Sequence, residues 1–161
     1  MSAFDQILVL VKESCTHGGA LALENSSPHA ILIPAEDLLA VAEKLFQNPE
    51  MYFDMLTCIT GIDNGVEENT MECVYTLYSI PFNSQLMLKV VLPRKNPEID
   101  SVSHIWKSAN WLEREIFDMY GIHFKNHPDL RRILLPGDWD GYPLRKDYKQ
   151  QEYYRGVKVE S

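Results

Sequence analysis

No apolar run of about 18 residues occurs in this sequence, so it contains no helix able to span a bilayer. Cysteine is scarce: Cys15, Cys58 and Cys73 stand alone in 161 residues, with no CxxC. An odd count without a pattern points to reduced thiols in a cytosolic-type compartment rather than to a disulfide framework. The N-terminus, MSAFDQILVLVKES, has no basic start and no arginine enrichment, so it reads as neither a signal peptide nor a transit peptide. Internal repeats and low-complexity segments are also missing, as is any Gly-rich phosphate loop.

What remains is an ordinary globular composition, 45% hydrophobic and 24% charged, of a size that suits one domain plus an appendage. Its charge is uneven. Residues 1–120 carry 7 Lys/Arg against 17 Asp/Glu, a net of −10, and residues 121–161 carry 8 against 6, a net of +2. An acidic body repels nucleic acid and anionic headgroups, and the tail is too balanced in sign to serve as a nucleic-acid arm.

Periodicity orders the first 120 residues. Ser2 and Asp5 predict a capped helix with Phe4, Ile7, Leu8 and Val11 on its apolar stripe, stopped by His17-Gly18-Gly19. His29–Ile33 predicts a short strand ended by Pro34, which opens a helix carrying Leu38, Val41, Ala42 and Leu45. Tyr52–Ile62 is rich in strand formers. Residues 71–79 and 86–92 alternate, with Met71, Cys73, Tyr75 and Leu77 on one face and Leu86, Leu88, Val90 and Leu92 on another. The link Pro81-Phe82-Asn83-Ser84 makes these two runs an antiparallel hairpin. Asn96-Pro97 predicts a helix with Ile99, Val102, Ile105 and Trp106 on its apolar side. A last helix runs from Trp111 to Tyr120 and ends at Gly121. Helices mixed with antiparallel strands, without regular βαβ alternation, predict an α+β fold. The expected form is a two-layer domain with a mainly antiparallel sheet and packed helices over residues 1–120, then an extended C-terminal arm over 121–161 that binds a partner.

The segment from Asn110 to Tyr148, NWLEREIFDMYGIHFKNHPDLRRILLPGDWDGYPLRKDY, is the most unusual stretch. Asn110 and Glu113 match a capping box. Around the helix, Leu112, Ile116, Phe117, Met119 and Tyr120 form an apolar arc, and Trp111, Arg114, Glu115 and Asp118 form the other face. Glu113 falls inside the apolar arc. A carboxylate there is costly unless paired, and the planar forks of Arg131 and Arg132 suit it, so Glu113, with Glu115, is expected to hold the arm through these arginines. After Gly121 no period of helix or strand continues. The 41 residues reach about 135 Å if extended, enough to wrap a neighbour. Trp139, Tyr142, Pro143 and Leu144, with Arg145, Lys146 and Asp147, are residue types that dominate protein–protein contacts.

Rival chemistries fit less well. Glu113 and Glu115 at i, i+2 point apart on a helix and cannot share a substrate. His123 and His127 have metal-pair spacing only on a helix, and Gly121 and Pro128 argue against one. Asp138-Trp139-Asp140-Gly141 lacks the later ligands of a calcium loop and reads as a turn.

EREIFDMYGIHFKNHPDLRRIL resembles the signature of the 30-kDa subunit family of respiratory complex I, called the C subunit in bacteria. Glu113-Arg114-Glu115, Asp118, His127, Arg131 and Ile133-Leu134 fall at the family's spacings. Ile105-Trp106, Ala109-Asn110-Trp111 and the run from Gly141 to Tyr148 are similar to its flanking elements. Lys125-Asn126 departs from relatives that often carry glycine there. The resemblance implies a non-catalytic structural subunit in the peripheral arm of a proton-translocating NADH:quinone oxidoreductase, on the cytoplasmic face of a bacterial inner membrane. It implies no cofactor on this chain, with FMN, iron–sulfur clusters and quinone on other subunits, and a C-terminal arm packed on the 49-kDa-type (D) subunit near the cluster-bearing subunits B and I. Interface and arm-anchoring positions would be Glu113, Arg114, Glu115, Asp118, His127, Pro128, Arg131, Arg132, Trp139, Pro143, Leu144, Arg145 and Lys146. The resemblance leaves one alternative, that the chain is the equivalent scaffold subunit of a related membrane-bound hydrogenase, formate hydrogenlyase or ferredoxin–plastoquinone oxidoreductase.

Overall fold

A computed structural model describes residues 2–159, so the outermost residues of the two expected units, 1 and 160–161, lie outside it. Helix α1 spans Ala3–Ser14 and opens with the expected capping box: the Ser2 hydroxyl accepts from the Asp5 N–H, and the Asp5 carboxylate accepts from the Ser2 N–H. It stops at Cys15, ahead of the glycines. A three-residue strand, β1 (Leu21–Leu23), has no counterpart in the sequence reading. Strand β2 (Ala30–Ile33) follows. Pro34 leads into a single 3₁₀ turn, Ala35–Asp37, and then α2, Leu38–Gln47.

The long strands are β3 (Met55–Gly65), β4 (Thr70–Ser79) and β5 (Ser84–Pro93). They pair antiparallel in sequence order. β2 then adds parallel to β5, and β1 closes the far edge, giving the order β1-β2-β5-β4-β3. Alternation sets the core face as read: Met71, Cys73, Tyr75 and Leu77 of β4 and Leu86, Leu88, Val90 and Leu92 of β5 are buried with Val41, Ala42 and Leu45 of α2. The result is the expected α+β architecture with a mainly antiparallel sheet.

One expected helix is absent. Residues 98–100 form β6 (Glu98–Asp100), which pairs parallel with β7 (His123–Lys125), and irregular turns follow. Asn96 lies in the left-handed region at φ 52, not in the extended conformation of a helix cap. Ile99, Val102 and Trp106 still reach the core, because a strand followed by turns satisfies the same apolar spacing. The last helix, α3, spans Ala109–Tyr120 and runs along β3. Its N-cap is Ser108, whose hydroxyl donates to the Leu56 carbonyl, so the capping box read at Asn110 and Glu113 does not form. Gly121 ends the helix as expected, at φ 72.

Candidate functional site: the α3–arm clasp

After Phe124 no described residue is buried as a whole. Even so, the following chain is not loose, because it returns past the end of α3 and is fastened there by polar contacts. Asp118 is the centre. One carboxylate oxygen accepts three successive backbone N–H groups, those of Ile133 (3.0 Å), Leu134 (2.7 Å) and Leu135 (2.9 Å). The other accepts from Arg132 at 2.7 Å. Burial by itself would raise this carboxyl's pKa, but the Arg132 guanidinium and the three N–H groups outweigh it and hold the group below its usual range. Arg132 also donates to the carbonyls of Asp118, Trp139 and Gly141, so one guanidinium fixes both the helix end and the next turn of the arm.

Around this pair the arm is held at several further points. Arg114 donates to the carbonyls of Arg131 and Arg132. Arg145 donates to the Tyr120 carbonyl at 2.6 Å, and the Leu144 N–H donates to the Met119 carbonyl. The Tyr142 ring contacts both the Arg132 and Arg145 guanidiniums, 5.2 and 4.9 Å from its centroid, and meets Phe117 edge-on. It lies so close over Gly121 that a Cβ there would sit 2.5 Å from the ring. The helix-ending glycine is therefore also the seat of the arm's tyrosine.

A second anchor lies on the sheet. Asp63 of β3 accepts two bonds from Arg94, at 2.8 and 3.0 Å, and one from the Lys146 backbone N–H at 2.8 Å. Arg94 also pairs with Asp147. The Arg94 bonds hold the Asp63 carboxyl well below the ordinary carboxylate range. Neither Asp63 nor Arg94 stands out in the sequence. Their one signal is the basic pair Arg94-Lys95 in an acidic body, which carries little weight without a fold.

Glu113 is fully buried, as its place in the apolar arc predicts. The expected arginine partners are wrong. Its carboxylate accepts from the Ser101 hydroxyl at 2.6 Å and the Val102 N–H at 2.8 Å, both on the segment read as a helix. Burial pushes its pKa up to about 7, against the lowering effect of those two bonds. Arg131 instead pairs with Asp129 at the surface, and Arg132 goes to Asp118. The buried ring of His127 lies 3.8 Å from Glu113. Its Nδ1 accepts from the Asp129 N–H and its Nε2 faces the Asn110 carbonyl, an arrangement that places the imidazole proton on Nε2.

The other singled-out residues divide. The Trp139 indole donates to the Tyr148 hydroxyl and packs on Tyr154, while Asp138 binds Tyr154 and Arg155 as part of a turn. Lys146 reaches the Asn64 carbonyl. Pro128, Leu144 and Glu115 are exposed, and Pro143 is half-buried. Among the described residues, no three His, Cys, Asp or Glu side chains converge as metal ligands, and no helix is long and apolar enough to cross a membrane.

Together these features define a two-layer α+β domain whose charged last helix clasps its own C-terminal strap. Residues 31–154 match the family model described as respiratory-chain NADH dehydrogenase, 30 Kd subunit, and the chain belongs to that family. It is 46% identical over 121 residues to the C subunit of the NADH-quinone oxidoreductase of Chloroherpeton thalassium, covering 74% of this chain and 50% of that protein, so it spans about half that relative's length. The C subunit of Geobacter sulfurreducens is 47% identical over 69% of this chain and 72% of its own. That of Citrifermentans bemidjiense is 36% identical over 97% and 98%. Among solved structures, the trypsin-resistant fragment (1–134) of Nqo5 superposes with a TM-score of 0.64 at 28% identity, covering 79% of this chain and 98% of the fragment. A chain of an archaeal membrane-bound sulfane sulfur reductase shares the fold, with a TM-score of 0.75 at 20% identity over 92% of this chain and 86% of that one.

Proposed function

We propose that this chain is a non-catalytic structural subunit in the peripheral arm of a proton-translocating NADH:quinone oxidoreductase. Its strap lies on the 49-kDa-type (D) subunit, beside the cluster-bearing subunits B and I, and braces the quinone-reducing module on the cytoplasmic face of the inner membrane. FMN, iron–sulfur clusters and quinone belong to the other subunits. Electron transfer between fixed centres depends on their spacing, so a rigid brace matters without performing chemistry.

One observation carries this reading: the strap is fixed in direction by Asp118 and Arg132 yet buries no whole residue of its own. A segment so pinned and so little buried leaves Leu134, Leu144, Tyr153 and Val157 exposed for a neighbour. The fold shared with the sulfane sulfur reductase chain supports a second reading, an equivalent brace in a related membrane complex; the NADH-quinone oxidoreductase relatives favour the first.

The Asp118→Asn variant, introduced into the native complex, tests the role. The expected result is less assembled complex on native gels, with unchanged cluster midpoint potentials in what assembles. Full assembly with shifted potentials overturns the proposal.

A further inference from the structure

We infer that the outer face of α3 is a docking strip for an arginine-bearing segment of the neighbouring protein in the complex, gripped between Trp111 and Glu115 and backed by Leu134. The inference rests on the proposed function and names the chemistry of its partner.

The other charged side chains of α3, and the strap arginines that meet it, are engaged. Glu113, Arg114 and Asp118 of the helix, and Arg132 and Arg145 of the strap, all close contacts within the chain. Glu115 is the exception: it is exposed and, among the described residues, has no hydrogen-bond or ion-pair partner. Trp111 lies one helical turn before it, 68% exposed. At i, i+4 the two side chains are neighbours on one face, with Cβ atoms about 6 Å apart. Asp118 continues the same stripe at i+7, and it is covered by the strap through the Leu134 N–H. Leu134, 61% exposed, therefore stands at the end of the strip.

An uncompensated carboxylate flanked by an exposed indole and an exposed leucine has a definite complement. A guanidinium stacks on the indole face while its fork meets the carboxylate, and apolar atoms beside it cover Leu134. Lysine satisfies the charge but stacks less well. Because the strap forms part of the strip, only a chain with its clasp closed presents the whole surface. This gives Asp118 and Arg132 a second consequence: they complete the docking face as well as fixing the strap.

The test uses the tagged full chain expressed in its native membranes, purified in mild detergent, with retention of the 49-kDa-type protein as readout. Trp111→Ala, Glu115→Lys and Glu115→Gln are compared with wild type, each checked for an unchanged thermal midpoint, since neither side chain supports the core. The expected result is about tenfold or greater loss of retention for Trp111→Ala and Glu115→Lys. Glu115→Gln is expected to weaken retention and to remove its sensitivity to salt between about 50 and 500 mM. Wild-type retention by both Trp111→Ala and Glu115→Lys overturns the inference while leaving the proposed function standing. Loss with Trp111→Ala alone, with no effect of charge or salt, overturns the arginine. A wild-type chain that retains no neighbour fails the proposed function itself.

Discussion

Glu113→Gln isolates the energetic consequence of burying a carboxylate without a cation. In the folded chain the group's pKa is raised from 4.5 to about 7 by burial. The folded state therefore holds its proton more tightly than the unfolded state does. Below pH 4.5 both states are protonated and the group exacts no penalty. As pH rises from 4.5 to 7 the unfolded state ionises first, and stability falls by up to about 1.4 kcal/mol per pH unit, a total of about 3 kcal/mol, before levelling off. Glutamine keeps the shape and has no such titration. Between pH 5.5 and 8 the Gln variant should gain about 2 kcal/mol relative to wild type, or roughly 4–8 °C in Tm for a chain of this size. The difference between the two proteins is the quantity to follow, because His17, whose pKa is raised by its bond to Asp37, adds a slope of the same sign to both. Thermal unfolding followed by circular dichroism at four or five pH values measures it. A Gln-minus-wild-type difference that stays constant across this range refutes the reasoning.

Gly121→Ala places a Cβ against the Tyr142 ring at a backbone angle of +72°, so it should cost about 1–3 kcal/mol. Its signature in hydrogen exchange is faster exchange over residues 130–148, with the protection of β4 retained. Acid should release the strap before the domain: the pKa values of Asp118 and Asp63 are depressed, so the stability they supply is present above about pH 4 and is lost as pH falls below it. Limited proteolysis with an acid-tolerant enzyme should cut the strap first at about pH 3 and leave it intact at about pH 6.

Local periodicity made much of the fold legible. The Ser2–Asp5 box, the α2 stripe, the alternating faces of β4 and β5, and the stop at Gly121 each depend on residues within a few positions of one another. The errors have non-local causes. Residues 98–100 look helical because Asn96-Pro97 precedes an apolar spacing, but pairing with β7, some 25 residues on, makes them a strand. β1 is three residues long and mostly exposed, too short for alternation to register. The burial of Glu113 was readable from its position on the helix. Its partner was not, because the Val102 N–H is free to donate to it only once that segment is no longer a helix. The two arginines drawn toward Glu113 in sequence are separated in space. Arg132 meets Asp118 because the chain turns back at Gly121, and Arg131 points to solvent. Asp118 sits on the polar face of α3, and the strap rather than the domain buries it.

Hydrogen exchange over residues 125–159, compared between the free chain and the chain within its assembled membrane complex, tests the bracing role most directly. Strap amides should gain protection on assembly, along with the Trp111–Glu115 face, while β4 and β5 stay as they are. Equal protection of the strap in both states would contradict the account.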